Sequence, residues 1–355
     1  MLSLPLTPPR ARAAASNVFH KTFYGGVADL RPMPRTLIDE GPQRAVYRYR
    51  SEGVERGDAL PVLFVPPLAA PALCFDLRRG CSLAEHLVGT GRPTYLVDYG
   101  DISFNDRDLG IEHWVDEVVP RALAVVSEHA GGRPVHIVAW CLGGIFSLLT
   151  AADQPALPIA SISTVASPFD VNAVPLVAPL RPLVNLTGGR GVTVIYRALG
   201  GAPRPLVKKA FQFSALDKYL TKPMAVLSRL DDTEFLAQLE AVDRFTDNMI
   251  AYPGRTFGQL YHHFLRANDL AEGGIDLAGR HIDVAKVSAP VLVVAGDGDG
   301  IAPKAAVHHL VDLLTGSPDV RYEVCPGGHL GVLAGRGARA TTWPLLDEWM
   351  DGHET

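Results

Sequence analysis

A cysteine between a predicted strand and a predicted helix has the setting that most clearly suggests chemistry. Cys141 lies in the run Ala139-Trp140-Cys141-Leu142-Gly143-Gly144, after an apolar stretch at 135–140 and before a helical pattern. A sharp strand-to-helix turn presents a nucleophile at the carboxyl end of a sheet, and it needs small residues two before and two after that nucleophile. Ala139 and Gly143 meet this need, so Cys141 is the predicted nucleophile.

A thiolate at such a turn would attack an ester or thioester carbonyl and become acylated. The start of the following helix favours a thiolate over a thiol. The backbone N–H of Leu142 would help to hold the oxyanion, and a second donor is expected near Leu68, in the loop after the predicted strand 60–65. The alternative is a buried cysteine beside glycines that serve only close packing. No G-x-S-x-G sequence offers a competing serine.

A carboxylate that could orient a base follows a late buried strand. The run 291–303 reads V-L-V-V-A-G-D-G-D-G-I-A-P, and Asp299 comes three residues after Gly296. An orienting acid needs this place on the loop at the carboxyl edge of the sheet. Asp297 is the competitor, but it directly follows Gly296, where the turn itself would use its side chain. Asp299 is therefore the preferred acid.

The predicted base is His329, which follows the last predicted strand in the run C-P-G-G-H-L-G. Glycines on both sides would let the loop carry the ring back to the nucleophile. Most of the 12 histidines must be structural. Five that lie in a strand, in the middle of the chain or on a surface helix are interpreted as structural: His136, His262, His263, His308 and His309. The order Cys141, Asp299, His329 is the order of nucleophile, acid and base in α/β-hydrolases.

The elements that must position these residues alternate along the chain. Short apolar runs predict buried strands, and helical spacing lies between them. Short connections between the two predict a mostly parallel sheet with helices on both faces, that is, an α/β-hydrolase fold. The predicted strands are 44–50, 60–65, 93–99, 135–140, 159–165, 291–295 and 320–325, and the predicted helices are 83–89, 111–130, 142–152, 303–314 and 341–350.

The alternation stops in the middle of the chain. Residues 170–285 show helix-like patterns and no clear strand, which predicts a helical cap inserted between two parts of one core, 43–169 and 286–355. Residues 1–42 are interpreted as an arm on the outside. The apolar segment Val171 to Leu186 would line an acyl tunnel or pack the cap on the core.

Composition limits the classes of function. The chain has 355 residues, 47% of them hydrophobic, and a net charge of -5, so a nucleic-acid partner is not expected. Prolines interrupt residues 1–12, and no run of about twenty apolar residues would span a membrane. A cytoplasmic location with reduced thiols is therefore expected. Cys74, Cys81 and Cys325 are interpreted as small buried residues, and no cysteine or histidine spacing predicts a metal site.

Several segments resemble one family from about residue 43 to 350. They are V-P-P-L-A-A-P-A-L-C-F-D-L (65–77), Y-L-V-D-Y-G-D (95–101), D-R-D-L (106–109), W-C-L-G-G (140–144), Y-P-G-R-T-F-G-Q-L-Y (252–261), D-G-I-A-P (299–303) and G-G-H-L-G-V-L-A-G (327–335). The chain resembles the polyhydroxyalkanoate synthases, particularly the short class III type.

The resemblance implies a function as well as a fold. Such synthases have an α/β-hydrolase core under a helical cap, and a Cys–His–Asp triad moves a 3-hydroxyacyl group from coenzyme A to a growing polyester. Cys141 would carry the acyl chain, His329 would deprotonate the thiol and Asp299 would orient His329. Acyl-CoA would be a substrate, and no cofactor is expected. A homodimer or a second synthase subunit, and association with a granule or lipid surface, are further expectations.

The sequence departs from the family pattern in three places. Ala139 stands where a glycine is usual, and Gly300 stands where a histidine usually follows the acid. Ala70, Pro71 and Ala72 replace an asparagine, a basic residue and a tyrosine. The last two departures remove polar groups, so two other hypotheses stay open: a thioesterase or lipase/esterase that releases free acid, and a granule- or lipid-associated binding protein without activity.

Overall fold

The computed structural model describes residues 7–51, 53–174, 200–213 and 216–354, and for residues 213 and 216–220 it describes the backbone alone. Most of the proposed tunnel segment 171–186 therefore lies outside the described residues. Within the described ranges, no helix combines the length and apolar character needed to cross a bilayer.

An eight-stranded sheet organises the described residues, in the order β1-β2-β4-β3-β5-β6-β7-β8. The pairs β1–β2 and β2–β4 are antiparallel, and the remaining neighbours are parallel. The predicted α/β architecture is thus confirmed. The strands are β1 Arg35–Gly41, β2 Arg44–Tyr49, β3 Val62–Val65, β4 Thr94–Asp98, β5 Val135–Trp140, β6 Ile159–Val165, β7 Val291–Gly296 and β8 Val320–Cys325.

The central strands form where the sequence is predominantly apolar. Every residue of β3, β5 and β7 is buried, as expected for strands covered by helices on both faces. The predicted strands 135–140, 159–165 and 320–325 have the observed bounds, and the others differ by one or two residues at an end. Because β3, β5, β7 and β8 are parallel, the loops after them meet at one edge of the sheet.

Helices surround this sheet. Ser82 begins α2, since its side chain accepts a hydrogen bond from the Glu85 N–H. The helix α3 is continuous over Ile111–His113, a π-helical turn Trp114–Val118 and Val119–His129. The others are α1 Pro8–Phe23, α2 Leu83–Gly89, α4 Leu142–Asp153, α5 Arg204–Phe213, α6 Leu216–Ser228, α7 Thr233–Asp247, α8 Gly254–Gln259 with a π-helical continuation Leu260–Ala267, α9 Lys304–Leu313, α10 Gly331–Ala334 and α11 Thr342–Asp351.

The predicted arm at 1–42 needs correction. Residues 8–23 form α1, and residues 35–41 form β1, the edge strand of the sheet. The predicted boundary at residue 43 falls inside the two-residue turn that joins β1 to β2, where Gln43 has a φ of 46°. An edge strand that is only half-buried carries no clear apolar alternation, so its sequence does not reveal it.

The predicted insertion 170–285 also needs correction, because it contains strands as well as the helices α5 to α8. Gly201–Ala202 pairs with Tyr252–Pro253, and Gly274–Leu277 forms a hairpin with Arg280–Asp283. The hairpin lies beside the core, since Arg280 Nε donates to Asp153 Oδ1 at the end of α4 over 3.0 Å. The helical cap is therefore shorter than the predicted range.

Candidate active site

Cys141 occupies a strained turn between β5 and α4. Its backbone has a φ of 53° and a ψ of -120°, a combination that costs a residue with a side chain free energy and occurs mostly where function requires it. The turn is tight: a Cβ on Gly143 would overlap the Val65 carbonyl oxygen and lie 2.7 Å from that of Pro66. The half-buried thiol of Cys141 is thereby presented at the carboxyl end of the sheet.

Hydrogen bonds hold the backbone of this turn on both sides. The Cys141 N–H donates to the Val165 carbonyl oxygen at 2.9 Å, and the Cys141 carbonyl oxygen accepts from Ser167 Oγ at 2.8 Å. The positive end of α4 lies directly behind the turn, where it favours an anion. No residue pattern singles out Ser167, which supports the turn from the loop after β6.

Asp299 and His329 meet at the same edge of the sheet. His329 Nδ1 lies 2.8 Å from Asp299 Oδ2, and both side chains are almost fully buried, with exposures of 8% for His329 and 0% for Asp299. The other carboxylate oxygen, Asp299 Oδ1, accepts hydrogen bonds from the N–H groups of Ile301 and Ala302 at 2.8 Å each. The carboxylate is thus fixed by the backbone and fixes the imidazole in turn.

The imidazole of His329 also faces the sulfur. Burial lowers the pKa of His329, but the charge on Cys141 and hydrogen bonds with Asp299 and with the Cys141 side chain outweigh it and raise the pKa to about 10. The Cys141 side chain is therefore within hydrogen-bonding reach of the ring. The predicted nucleophile, base and acid therefore lie side by side.

Asp297, the competing acid, has another role. Its Oδ1 accepts a hydrogen bond from the Gly327 N–H at 2.8 Å, and the residue is exposed. Asp297 therefore ties the loop after β7 to the loop that carries His329, and the structure does not bring it to the ring.

The two predicted oxyanion donors flank the turn. Leu142 is the first residue of α4, so its N–H has no partner within the helix. The loop with Leu68 packs against Gly143, and it is held by a bond of 2.9 Å from the Tyr99 hydroxyl to the Pro66 carbonyl oxygen. Among the described residues, neither the Leu142 nor the Leu68 N–H has a backbone acceptor. The assignment of both amides as oxyanion donors stays a prediction.

The cap adds a residue that the residue patterns did not mark as functional. The Ile250 N–H donates to the Ala69 carbonyl oxygen at 2.9 Å, which ties the cap to the loop beside the turn. Tyr252 follows two residues later. Burial raises its pKa, and the charge of Cys141 raises it further, so the phenol lies near the sulfur. The only sequence signal for Tyr252 is its place at the start of the resembling segment 252–261.

Known proteins of similar sequence have one function in common. No protein family model matches this chain. The poly(3-hydroxyalkanoate) polymerase subunit PhaC of Allochromatium vinosum is 26% identical over 321 residues, which cover 90% of this chain and 88% of that protein. The PhaC subunit of Synechocystis sp. is 24% identical over 351 residues, which cover 94% and 90%. Over most of its length the chain is similar in sequence to poly(3-hydroxyalkanoate) polymerase subunits.

Solved structures share the α/β-hydrolase fold of this chain. A carboxyl esterase from Bacillus coagulans superposes with a TM-score of 0.57 at 15% identity, covering 92% of this chain and all 100% of that one. An esterase from Rhodococcus sp. superposes with a TM-score of 0.52 at 13% identity, covering 91% and 100%. At these identities the likeness concerns the fold alone.

The departures from the synthase pattern have defined places. Ala139 is fully buried in β5. Gly300 is exposed beside Asp299, with open space where a side chain would begin. Ala70 and Pro71 are half-buried and Ala72 is buried, all in the loop that carries Leu68. Two of the three departures therefore lie next to the candidate site and change its polarity.

Proposed function

We propose that this chain is an acyltransferase that moves an acyl group from acyl-CoA, through a thioester on Cys141, to a hydroxyl acceptor or a growing polyester. The observation that carries the proposal is the position of His329. Its Nδ1 lies 2.8 Å from Asp299 Oδ2, and its ring is within hydrogen-bonding reach of the Cys141 side chain. That arrangement suits an activated cysteine nucleophile.

In the first half-reaction the Cys141 thiolate attacks the carbonyl carbon of acyl-CoA. The carbon becomes tetrahedral, and the N–H groups of Leu142 and Leu68 hold the oxyanion. The bond to the coenzyme A sulfur then breaks. Protonated His329 gives its proton to the departing thiolate, so that coenzyme A leaves as a thiol and the acyl group stays on Cys141.

In the second half-reaction neutral His329 takes the proton of an acceptor hydroxyl as the oxygen attacks the thioester. The bond between the acyl carbon and the Cys141 sulfur breaks, and an ester forms. Cys141 returns to a thiolate beside protonated His329. Asp299 supports this protonated state, in agreement with the raised pKa of His329. A cap that excludes water would let the hydroxyl win over hydrolysis.

The names of the relatives support the class of substrate. They are polymerase subunits for poly(3-hydroxyalkanoate), which makes a 3-hydroxyacyl thioester of coenzyme A the proposed donor. The proposed reaction needs no cofactor, because acyl-CoA supplies the activated group.

Mass spectrometry of the intact protein tests the proposal. After brief exposure to a panel of acyl-CoAs, we expect a mass increase of one acyl group on Cys141. Cys141→Ala should take up no acyl group and should have no turnover. Cys325→Ala, at a buried position at the end of β8, is the control and should keep most of the turnover. Retained turnover in Cys141→Ala would reject the assignment.

A thioester or ester hydrolase is the second candidate. It is favoured by the departures at Ala70–Ala72 and Gly300, which leave the site with fewer polar groups than the family pattern. The products separate the two: transferred acyl groups or polymer for the acyltransferase, free acid for the hydrolase. A binding protein without activity would instead show no selective labelling of Cys141 by iodoacetamide.

Location and partners are proposed on the family resemblance. We expect a cytoplasmic protein that associates with polyester granules or lipid surfaces, as a homodimer or with a second subunit. The end of α1 offers exposed aromatic side chains for such contact, since Phe23 is 70% and Tyr24 is 72% exposed. Replacing both with serine should reduce sedimentation with granules. Unchanged sedimentation would show that another surface makes the contact.

A further inference from the structure

The tryptophan before Cys141 contacts His329 in two ways. Trp140 Nε1 donates a hydrogen bond to the carbonyl oxygen of His329 at 3.0 Å. The two ring centroids lie 5.0 Å apart, with an angle of 40° between the planes. Trp140 is only 1% exposed, and its hydrogen bond to His329 is partly buried. Loss of the indole donor would leave the partly buried carbonyl oxygen of His329 without this partner.

Trp140 is itself rigidly placed. It is the last residue of β5 and pairs with Val165 of β6, and the next residue, Cys141, donates its N–H to the same Val165. The indole is therefore fixed to the strand that ends at the nucleophile. It reaches a loop that lies 189 positions later in the chain.

The loop that carries His329 needs such an anchor. Gly327 and Gly328 precede the histidine and Gly331 follows it at two residues' distance, and Gly327 has a φ of 142° that residues with side chains rarely adopt. Asp299 fixes the ring at Nδ1, and the loop backbone is held at Gly327 by Asp297 and by the Gly298 N–H. The indole hydrogen bond holds the carbonyl group of His329 itself.

We propose that Trp140 is a positioning residue, which holds the backbone and ring of His329 against Cys141 so that sulfur and imidazole exchange a proton. This role rests on the proposed function of Cys141 and His329. Trp140 acts through His329 and not on the substrate. Its ring also packs on Phe245 of the cap, at a centroid distance of 5.9 Å, which helps to keep the indole in place.

Alkylation of Cys141 by iodoacetamide tests the proposal without any acyl-CoA. Trp140→Phe keeps an aromatic ring and removes only the N–H donor. At about pH 6.5 we expect alkylation to slow at least about fivefold relative to the natural chain, because the thiolate there depends on His329. At about pH 9.5, where thiols ionise without help, the rates should agree within about twofold.

Trp343→Phe is the matched control. Its indole makes a hydrogen bond of the same kind to the Leu333 carbonyl oxygen at 2.8 Å, and it is 3% exposed. This variant should lose stability without changing the ratio of the two alkylation rates. A ratio in Trp140→Phe equal to that of the natural chain would overturn the positioning role alone. A natural chain whose Cys141 alkylates like a free thiol at both pH values would overturn the proposed function as well.

If Trp140→Phe does not fold, nuclear magnetic resonance of the natural chain tests the proposal instead. The chain has four tryptophans, so selective ¹⁵N labelling gives four indole N–H signals. We expect one of them to shift with pH at the same midpoint as the alkylation of Cys141, and to move when Cys141 is alkylated. If all four signals are unaffected by both changes, Trp140 does not sense His329 and the proposal is wrong.

Discussion

Two carboxylates, two residues apart, take separate roles around His329 because the backbone presents them to different partners. Asp299 uses one oxygen for two backbone N–H groups and the other for the imidazole. Asp297 uses its oxygen for the N–H of Gly327. The position of each aspartate on the turn therefore decides whether its carboxylate bonds the imidazole or the backbone of the loop that carries the imidazole.

Asp299→Asn should lower turnover by about 10³–10⁴-fold, because an amide no longer holds the imidazole in the required tautomer. The variant should also change the pH dependence. The carboxylate helps to raise the pKa of His329, so without it the imidazolium is lost at a lower pH and Cys141 is alkylated more slowly near pH 7. Turnover of acyl-CoA and alkylation rates between about pH 6 and pH 10 measure both effects.

Asp297→Asn is the control for this pair. Its amide oxygen still accepts from the Gly327 N–H, so turnover should stay within about twofold of the natural chain. An equal loss in both variants would mean that the loop, and not the carboxylate at 299, decides the activity.

The sequence was sufficient to predict which three side chains the fold brings together, but not all of their supports. Cys141, Asp299 and His329 each follow a recognisable strand, so their order and setting point to them. Trp140 has no such signal, because an aromatic residue at the end of a buried strand usually serves the core. Its partner lies 189 positions away, and only the fold brings the two together.

At the level of elements, the turn at Cys141 depends on close packing between α4 and the loop after β3. Gly143→Ala would place a methyl group against the backbone carbonyl groups of Val65 and Pro66. Backbone cannot swing aside as a side chain does, so the loop with Leu68 must shift. We expect a loss of stability of about 1–3 kcal/mol and a larger relative loss of turnover, measured by urea denaturation and by acyl-CoA assay.

A glycine in a helix with room around it provides the comparison. Gly89 ends α2, and a methyl group added there would meet nothing within 4 Å. Gly89→Ala should leave turnover unchanged and should leave stability equal or slightly higher. If Gly143→Ala is equally harmless, the loop after β3 does not pack closely against the turn.

A substitution at Tyr99 tests the same loop through a different contact. Its hydroxyl donates to the Pro66 carbonyl oxygen at 2.9 Å, and Tyr99→Phe leaves that buried oxygen without this donor. We expect kcat to fall by about tenfold with little change in KM, because a displaced Leu68 amide stabilises the oxyanion less well. Tyr95→Phe is the control, since its hydroxyl bonds His129 Nδ1 at 3.0 Å, away from the loop. Equal kcat values in the two variants would count against Leu68 as a donor.

The elements that the sequence predicted well are those with one dominant pattern. Apolar residues dominate β5 and β7. By contrast, the hairpin at 274–283 has short strands with charged residues. The sequence feature that could have revealed the hairpin is the pair Ala278-Gly279. In the structure this pair forms the turn, with positive φ values of 49° and 82°. That pair is typical of a two-residue hairpin turn, but alanine is an uncommon residue there.

For the molecule as a whole, a buried histidine at the end of the sheet opposite the candidate site is expected to make stability depend on acid. His136, near the start of β5, is fully buried, and its Nδ1 lies 2.8 Å from Ser161 Oγ. Burial, together with the charges of Arg92 and His353, lowers the pKa of His136 to about 3. Glu354 lies 4.0 Å from its Nε2, but its carboxylate is already held by Arg92 and by the Leu60 N–H at 2.6 Å each.

The sign of the effect follows from this lowered pKa. In the unfolded chain His136 takes up a proton near pH 6.5, whereas in the folded chain it stays neutral until about pH 3. The contribution to stability is therefore present above pH 6.5 and is lost as the pH falls toward 3. At about pH 5 the loss should amount to about 2 kcal/mol of the free energy of unfolding. Urea denaturation at pH 7 and pH 5 measures it.

His136→Gln isolates this contribution, because glutamine can still bond Ser161 and does not titrate. The variant should be less stable than the natural chain at pH 7, yet it should lose about 2 kcal/mol less between pH 7 and pH 5. His308→Gln, at an exposed position on α9, should leave the pH dependence as it is. An unchanged dependence in His136→Gln would place the acid response elsewhere. The candidate site would not supply it, because His329 has the opposite sign: its raised pKa stabilises the folded chain at low pH and weakens it as the pH rises toward 10.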